Sequence, residues 1–463
     1  MTVDLVVEGG TVVTDGGRFP ADIVVDEGKV LALRRDSSGV AADRRVNAEG
    51  MMVLPGLIDP HTHWGVFNLP DLEAFERQCT SESRASLAGG VTTVMHCAMD
   101  RGSYLSHLTA KDAIVRRAAG VDMVYYPALT TAEHLAEVPA LAERGVTSFK
   151  LFLNGDAFFG LPEPLLYPAL EAIRKVGGTP MVHCEWTPPA LEHLLPRARA
   201  LGHQGLQAWA EARPNFLETT AMERVFRVVE ALGGPIYVVH VSTREGPPTG
   251  AAARRRGVEV YLETCPHYLA LDYTRPSVQR WGKVKPPIRA PEDREALWAA
   301  VLSGTIDTIG TDHCTLMLRR EKEGAGDIWS QQNGFAETET MLPILVTEGV
   351  RRRGLSWERL VELTSANAAR IHRIPGKGSL RPGSDADLVL VDPRQETTIS
   401  SERMHGACDF TLYDGWKVFG VPHQTFRAGE LVFEQGRLPP ARGGRVIPTL
   451  SGSLRGSTPV RAL

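Results

Sequence analysis

At 463 residues, with 43% hydrophobic and 23% charged side chains, the chain is long enough for one large core plus a smaller accessory domain. Its 51 basic and 55 acidic residues leave a formal charge of −4 spread along the sequence, which excludes an electrostatic case for nucleic acid or an anionic membrane and points to a small-molecule substrate. The six cysteines (Cys79, Cys97, Cys184, Cys265, Cys314, Cys408) form no CxxC pair, which argues against a disulfide framework and a thiolate zinc site and predicts reduced, mostly buried thiols.

In chain order, the opening MTVDLVVEGG carries an acid where a signal peptide carries bases, and no apolar run reaches the ~18 residues of a membrane span, so a cytoplasmic protein is expected. Residues 1–51 hold short extended runs at 3–8, 23–25 and 30–33 broken by Gly and Asp, predicting a small sheet. From 52 to 380, apolar runs alternate with amphipathic stretches such as LEAFERQCTSESRASLAG. Eight runs occur: MVLPGLID, VTTVMHC, DMVYYPAL, VTSFKLFL, PMVHCE, IYVVHVS, VEVYLETC and IDTIGTD. Eight successive βα units favour a closed (β/α)8 TIM barrel over an open sheet. Short strands return over 381–440 (SDADLVLVD, DFTLYDGWKVFG, QTFRAGELVFE), which predicts a discontinuous β-sandwich shared with residues 1–51. The tail, 441–463, is rich in Arg, Pro and Gly and has no acidic residue; it is expected to be disordered or to lie on a neighbouring subunit. Basic triplets at 254–256 and 351–353 each precede a glycine, where cations suit the end of a helix.

The chemistry sits at the ends of the predicted barrel strands. In GLIDPHTH, His61 and His63 are two apart, so both imidazoles project to one side and can meet one metal. His183 closes the fifth strand, His240 the sixth and Asp312 the eighth, and these C-terminal ends converge on one rim. Lys150 falls inside the fourth strand, between Phe149 and Leu151. Alone, such a lysine reads as one snorkelling to the surface. Beside four histidines and an aspartate it reads as a buried amine of lowered pKa, able to take up carbon dioxide and bridge two metals as a carbamate. His313 and His267 are either catalytic, or supports for the ligands, or structural, and His96, His107 and His193 are expected to be structural. Trp64, Phe67, Phe158 and Phe159 follow strands one and four, where side chains build either pocket walls or core.

The segments GLIDPHTH, FKLF, HCE, HVS and GTDHC, in that order, resemble the cyclic amidohydrolases of the hydantoinase, dihydropyrimidinase, allantoinase and dihydroorotase group. The likeness continues through ETCPHYLALD, KPPIR, REALW, NGFAETE, LVELTSANAARI and GSDADLVLVDP, and is strongest toward the hydantoinase and dihydropyrimidinase branch. The resemblance implies that His61, His63 and Asp312 hold one divalent ion, that His183 and His240 hold a second, and that N6-carboxylated Lys150 bridges them. Zinc is the expected metal, with manganese or cobalt also compatible with nitrogen and oxygen ligands. It further implies that water activated between the ions attacks the ring carbonyl of a cyclic amide or imide, with Asp312 shuttling the proton to the leaving nitrogen. Because members of this family commonly assemble, the resemblance also implies a homo-oligomer, expected to be a tetramer.

Several positions depart from that pattern. Where dihydroorotases carry an arginine two residues after the second histidine, this chain has Gly65. Where allantoinases have an Asn-Glu-Pro loop it reads WGVFNLP, although ETCPHYL is closer to allantoinases than to hydantoinases. The tyrosine that hydantoinases place five residues after the lysine is Gly155, and the serine before the Pro-Pro pair is Lys285, whereas Asn333 is retained. Loss of an oxyanion donor at Gly155 predicts a rate lower by about 100-fold to 1000-fold on plain hydantoin or dihydrouracil. Space beside Phe158 and Phe159 would admit a bulkier substituent, and Lys285 either offers a cation to the substrate or faces solvent. The alternatives to a hydantoinase-like enzyme are an allantoinase and a non-catalytic scaffold related to dihydropyrimidinase.

Overall fold

The structure is a computed structural model and describes residues 2–65, 71–100, 102–155, 159–186, 190–315, 318–323, 326–440 and 442–452. The barrel strands are Leu57–His63, Val91–His96, Asp122–Tyr125, Ser148–Phe152, Thr179–His183, Pro235–Val238 and Glu259–Thr264, followed by an eighth in two pieces, Thr308–Ile309 and His313–Cys314. Each pairs in parallel with the next, the third reaching the fourth through Ala128 and Lys150. His313–Cys314 then pairs with the first strand, so the barrel is closed. Strands one, two and four are buried along their whole length, as expected when side chains fill the interior and helices cover the outside. Some of the covering helices start on side-chain caps: Asp71 accepts from the backbone of Glu73 and Ala74 to begin Leu72–Ala88, and Thr131 accepts from His134 to begin Ala132–Glu143.

The sandwich joins both ends of the chain, as predicted. A four-stranded sheet uses only N-terminal strands, whereas the six-stranded sheet sets Leu388–Val391 antiparallel to Met52–Pro55. Val7, Val12, Ile23, Val53, Leu388 and Phe426 pack between the sheets. The run MVLPGLID therefore does not form one barrel strand. Up to Pro55 it pairs in the sandwich, and from Leu57 it enters the barrel, with Gly56 at the junction.

The expectation for the tail is corrected over residues 442–452. The main chain of Gly444 donates to Ala119, and that of Ile447 donates to Met123, so this segment lies beside the third strand of its own barrel. Arg445 reaches Asp122 at 2.5 Å and Asp385 at 2.6 Å, and beneath it buried Lys377 meets Asp122 and Asp387, each at 2.6 Å. An acid-free, arginine-bearing segment needs no core of its own when buried carboxylates await it. Among the described residues no helix is long and apolar enough to cross a membrane.

Candidate metal centre

The strand ends bring the expected ligands to one rim. His61 and His63 are both buried, their Nε2 atoms 3.1 Å apart. Asp312 Oδ1 lies 3.0 Å from Nε2 of His63 and 3.3 Å from Nε2 of His61. The ligand atoms of these three residues lie within 4.8 Å of one another, a group able to hold a metal ion. Lys150, with no solvent exposure, places Nζ 3.0 Å from Nε2 of His61. The rings of His183 and His240 stand edge to face at 4.5 Å, and His240 stacks 5.3 Å from His61. His240 (φ 43°) and Asp312 (φ 54°) adopt left-handed backbone, which costs a non-glycine residue about 1–2 kcal/mol and is characteristic of functional sites.

The donor chemistry fits a cation. Nδ1 of His61 is 2.7 Å from a carboxylate oxygen of Glu263 and donates to it, which leaves a lone pair on Nε2. That lone pair faces Asp312 Oδ1, another acceptor, at 3.3 Å. The six residues offer nitrogen and oxygen without thiolate, a donor set suited to a divalent cation. Burial pushes His63 down to about 4 and His61 and His240 well below the ordinary histidine range, so the imidazoles are neutral, as metal ligation requires. Burial lowers Lys150 too, toward the neutral amine.

Carboxylates behind the ligands were not identified from the sequence. Glu185 sits 3.4 Å from Nε2 of His183 and pairs with Arg213 at 2.5 Å. The two histidines left open resolve as buried ties: His313 bonds Glu82 at 2.9 Å and accepts from the backbone of Glu337 and Thr338, and His267 bonds Glu337 at 2.7 Å. The one signal available for the acids was position, since Glu185 and Glu263 each stand near the end of a strand that also carries or neighbours a ligand.

A cavity of about 160 Å³ opens on the ligands. His63, His183, His240 and Asp312 line it together with Phe152, Phe159, Lys285 and Asn333. Met99, Asn154, Val284, Cys314 and Gly334, not singled out beforehand, also contribute. A larger cleft of about 640 Å³, bordered by Glu339, Arg403 and His405, shares no residue with this one. Two expected pocket residues are placed elsewhere. Trp64 is buried in the core, its ring 6.5 Å from that of His96. Gly155 is exposed, does not line the cavity, and has φ 62°, a backbone reason for glycine independent of any ligand. Phe158 and Phe67 lie outside the described residues.

Residues 219–432 match the amidohydrolase family. Over 446 residues the chain is 32% identical to the D-hydantoinase of Ralstonia pickettii, an alignment covering 94% of this chain and 96% of that one. It is 34% identical over 453 residues to the allantoinase of Rubrobacter xylanophilus, covering 96% and 97%. Among solved structures, the dihydropyrimidinase of Brevibacillus agri superposes with a TM-score of 0.88 at 29% identity, over 97% of this chain and 99% of that one. The L-hydantoinase of Arthrobacter aurescens gives 0.89 at 29% identity, over 96% and 100%.

Proposed function

This chain belongs to the amidohydrolase family, among metal-dependent hydrolases of cyclic amides, and on that premise we propose that it opens a compact cyclic amide or imide ring with two metal ions. The observation that carries this reading is the convergence of His61 Nε2, His63 Nε2 and Asp312 Oδ1 beside buried Lys150. His61, His63 and Asp312 would hold one ion and His183 with His240 the other, zinc being preferred over manganese or cobalt. Lys150 would bridge them as a carbamate: its neutral nitrogen adds to carbon dioxide, an N–C bond forms, and one N–H proton leaves to solvent. When bound, the ions would supply an activated water and polarise the ring carbonyl.

The chain's own residues set the rest. Asp312 accepts the proton of the attacking water on its carboxylate and returns it to the leaving ring nitrogen. Phe152 and Phe159 present apolar surface to the ring, and Asn333, whose buried Oδ1 has no partner among the described residues, accepts a ring N–H. Lys285, on the same wall, offers a cation to an acidic substituent. Among the described residues that line the cavity none is a tyrosine that could donate a phenol hydroxyl, so turnover of unsubstituted hydantoin and dihydrouracil should be slow.

Allantoin hydrolysis is the second reading, favoured by the 34% identity to an allantoinase over nearly the whole chain. A scaffold without catalysis is disfavoured by the gathering of all six ligand residues. We place the protein in the cytoplasm as a homotetramer. Incubating the metal-loaded protein with hydantoin, dihydrouracil, allantoin, dihydroorotate and succinimide, with bicarbonate present, tests the assignment. Ring opening of at least one supports it, and inertness toward all five in protein shown to carry metal would overturn it.

A further inference from the structure

We propose that Glu263 is a positioning residue that sets both halves of the metal centre at once, an inference resting on the two-ion reading above. Glu263 lies in the seventh strand, Glu259–Thr264, and has no solvent exposure. Its Oε1 accepts from Nδ1 of His61 at 2.7 Å and from the backbone N–H of His240 at 3.0 Å. A single oxygen therefore orients the ring of a ligand assigned to one ion and the main chain of a ligand assigned to the other. The second contact falls where the chain is strained: His240 has φ 43°, and a bond to its N–H is what such a conformation needs to persist. Oε2 accepts from the hydroxyl of Tyr237 at 2.7 Å, and that hydroxyl lies 2.6 Å from Oγ1 of Thr308, so the carboxyl is clamped from behind.

A second feature of the fold is built around this group. A Cβ at Gly310, between the two pieces of the eighth strand, would stand 2.6 Å from Oε2 of Glu263 and 2.9 Å from Cβ of His61. No side chain fits there without moving either the carboxylate or the ligand it holds. A carboxylate that merely filled a core position would need neither a shared oxygen nor that vacancy.

Removing a group that orients a metal ligand typically costs about 10-fold to 100-fold in metal affinity. Because Glu263 serves both ligands, Glu263→Ala should weaken both ions together, whereas Glu263→Gln, whose amide oxygen can still accept both N–H groups, should recover most of the affinity. Gly310→Ala leaves the carboxylate in the chain but displaces it, and should resemble Glu263→Ala. The test is titration of metal-free protein with cobalt(II) in bicarbonate, read by visible absorption and bound ions per chain, with thermal unfolding of the metal-free proteins alongside. Parallel loss at both sites in Glu263→Ala or Gly310→Ala, with partial rescue in Glu263→Gln, is the expected result. Wild-type affinity in Gly310→Ala and in the Glu263 variants, or loss confined to one ion, would overturn the proposal. If Glu263→Ala does not fold, Glu263→Gln and Gly310→Ala decide it. A wild-type protein that binds fewer than two ions would instead remove the two-ion reading itself.

Discussion

Nζ of Lys150 lies 3.0 Å from Nε2 of His61, wholly out of contact with solvent, so the lysine is seated among the ligands rather than reaching for the surface. Lys150→Ala is accordingly expected to lose the bridge to both ions, with bound metal falling below one ion per chain and ring opening abolished. Short carboxylic acids should restore part of the activity by occupying the vacated space. Full activity without added acid would exclude the carbamate.

Asp312→Asn keeps the size of the side chain and removes its basicity. Loss of a positioned proton carrier typically lowers the rate by about 100-fold to 10,000-fold. The expected signature is a fall in kcat with little change in KM, measured in protein whose metal content matches the wild type. A variant loaded with metal and within a few fold of wild-type kcat would show that the proton travels by another route.

Lys285 shares the cavity wall with Asp312 and Asn333, and a charge-assisted hydrogen bond contributes about 1.5–3 kcal/mol. Lys285→Ser should weaken binding of a ring bearing a carboxylate by about 10-fold or more and leave a neutral ring nearly unaffected. Equal effects on both, measured as KM or as inhibition by unreactive analogues, would mean that the ammonium does not face the substrate.

Lys377 is buried against three carboxylates, and removing one partner of a buried ion pair costs about 3–5 kcal/mol. Burial opposes the charge of Asp122, yet Lys377 and Arg445 hold its carboxyl below the usual range. A folded pKa below the unfolded value means that this stabilisation is complete above about pH 4 and is lost as the pH falls through the folded value. Lys377→Met should therefore unfold at a lower denaturant concentration at pH 7 and begin acid unfolding at higher pH than the wild type. Identical acid transitions would contradict the network's role.

Truncation after Pro440 removes Arg445 and the backbone bonds that Gly444 and Ile447 make to the barrel. The shortened protein should melt several degrees lower, with assembly unchanged by light scattering because these contacts lie within one chain. A loss of assembly would return the tail to a role between subunits.

The candidate ligands were legible because a barrel places chemistry at strand ends, and His61, His63, His183, His240 and Asp312 each stand at or beside one. Lys150 gained its meaning from that company. Glu263 was not legible: an acid one residue from the end of a strand has the same appearance whether it meets solvent or a ligand, and only closure of the barrel brings it to His61 and His240. Trp64 was open between pocket wall and core, because a loop position after a strand does not fix which way an aromatic ring turns, and it is buried in the core. Residues 442–452 were not legible because the partners of Arg445 lie more than 300 residues away at Asp122 and 60 away at Asp385.

The most direct test of the account is to strip the protein of metal and return zinc in the presence of bicarbonate, following ring opening of the best substrate against ions bound per chain. The account predicts no activity without metal and recovery that is complete near two ions per chain. Ring opening that persists in the stripped protein, or that saturates with no ion bound, would contradict it.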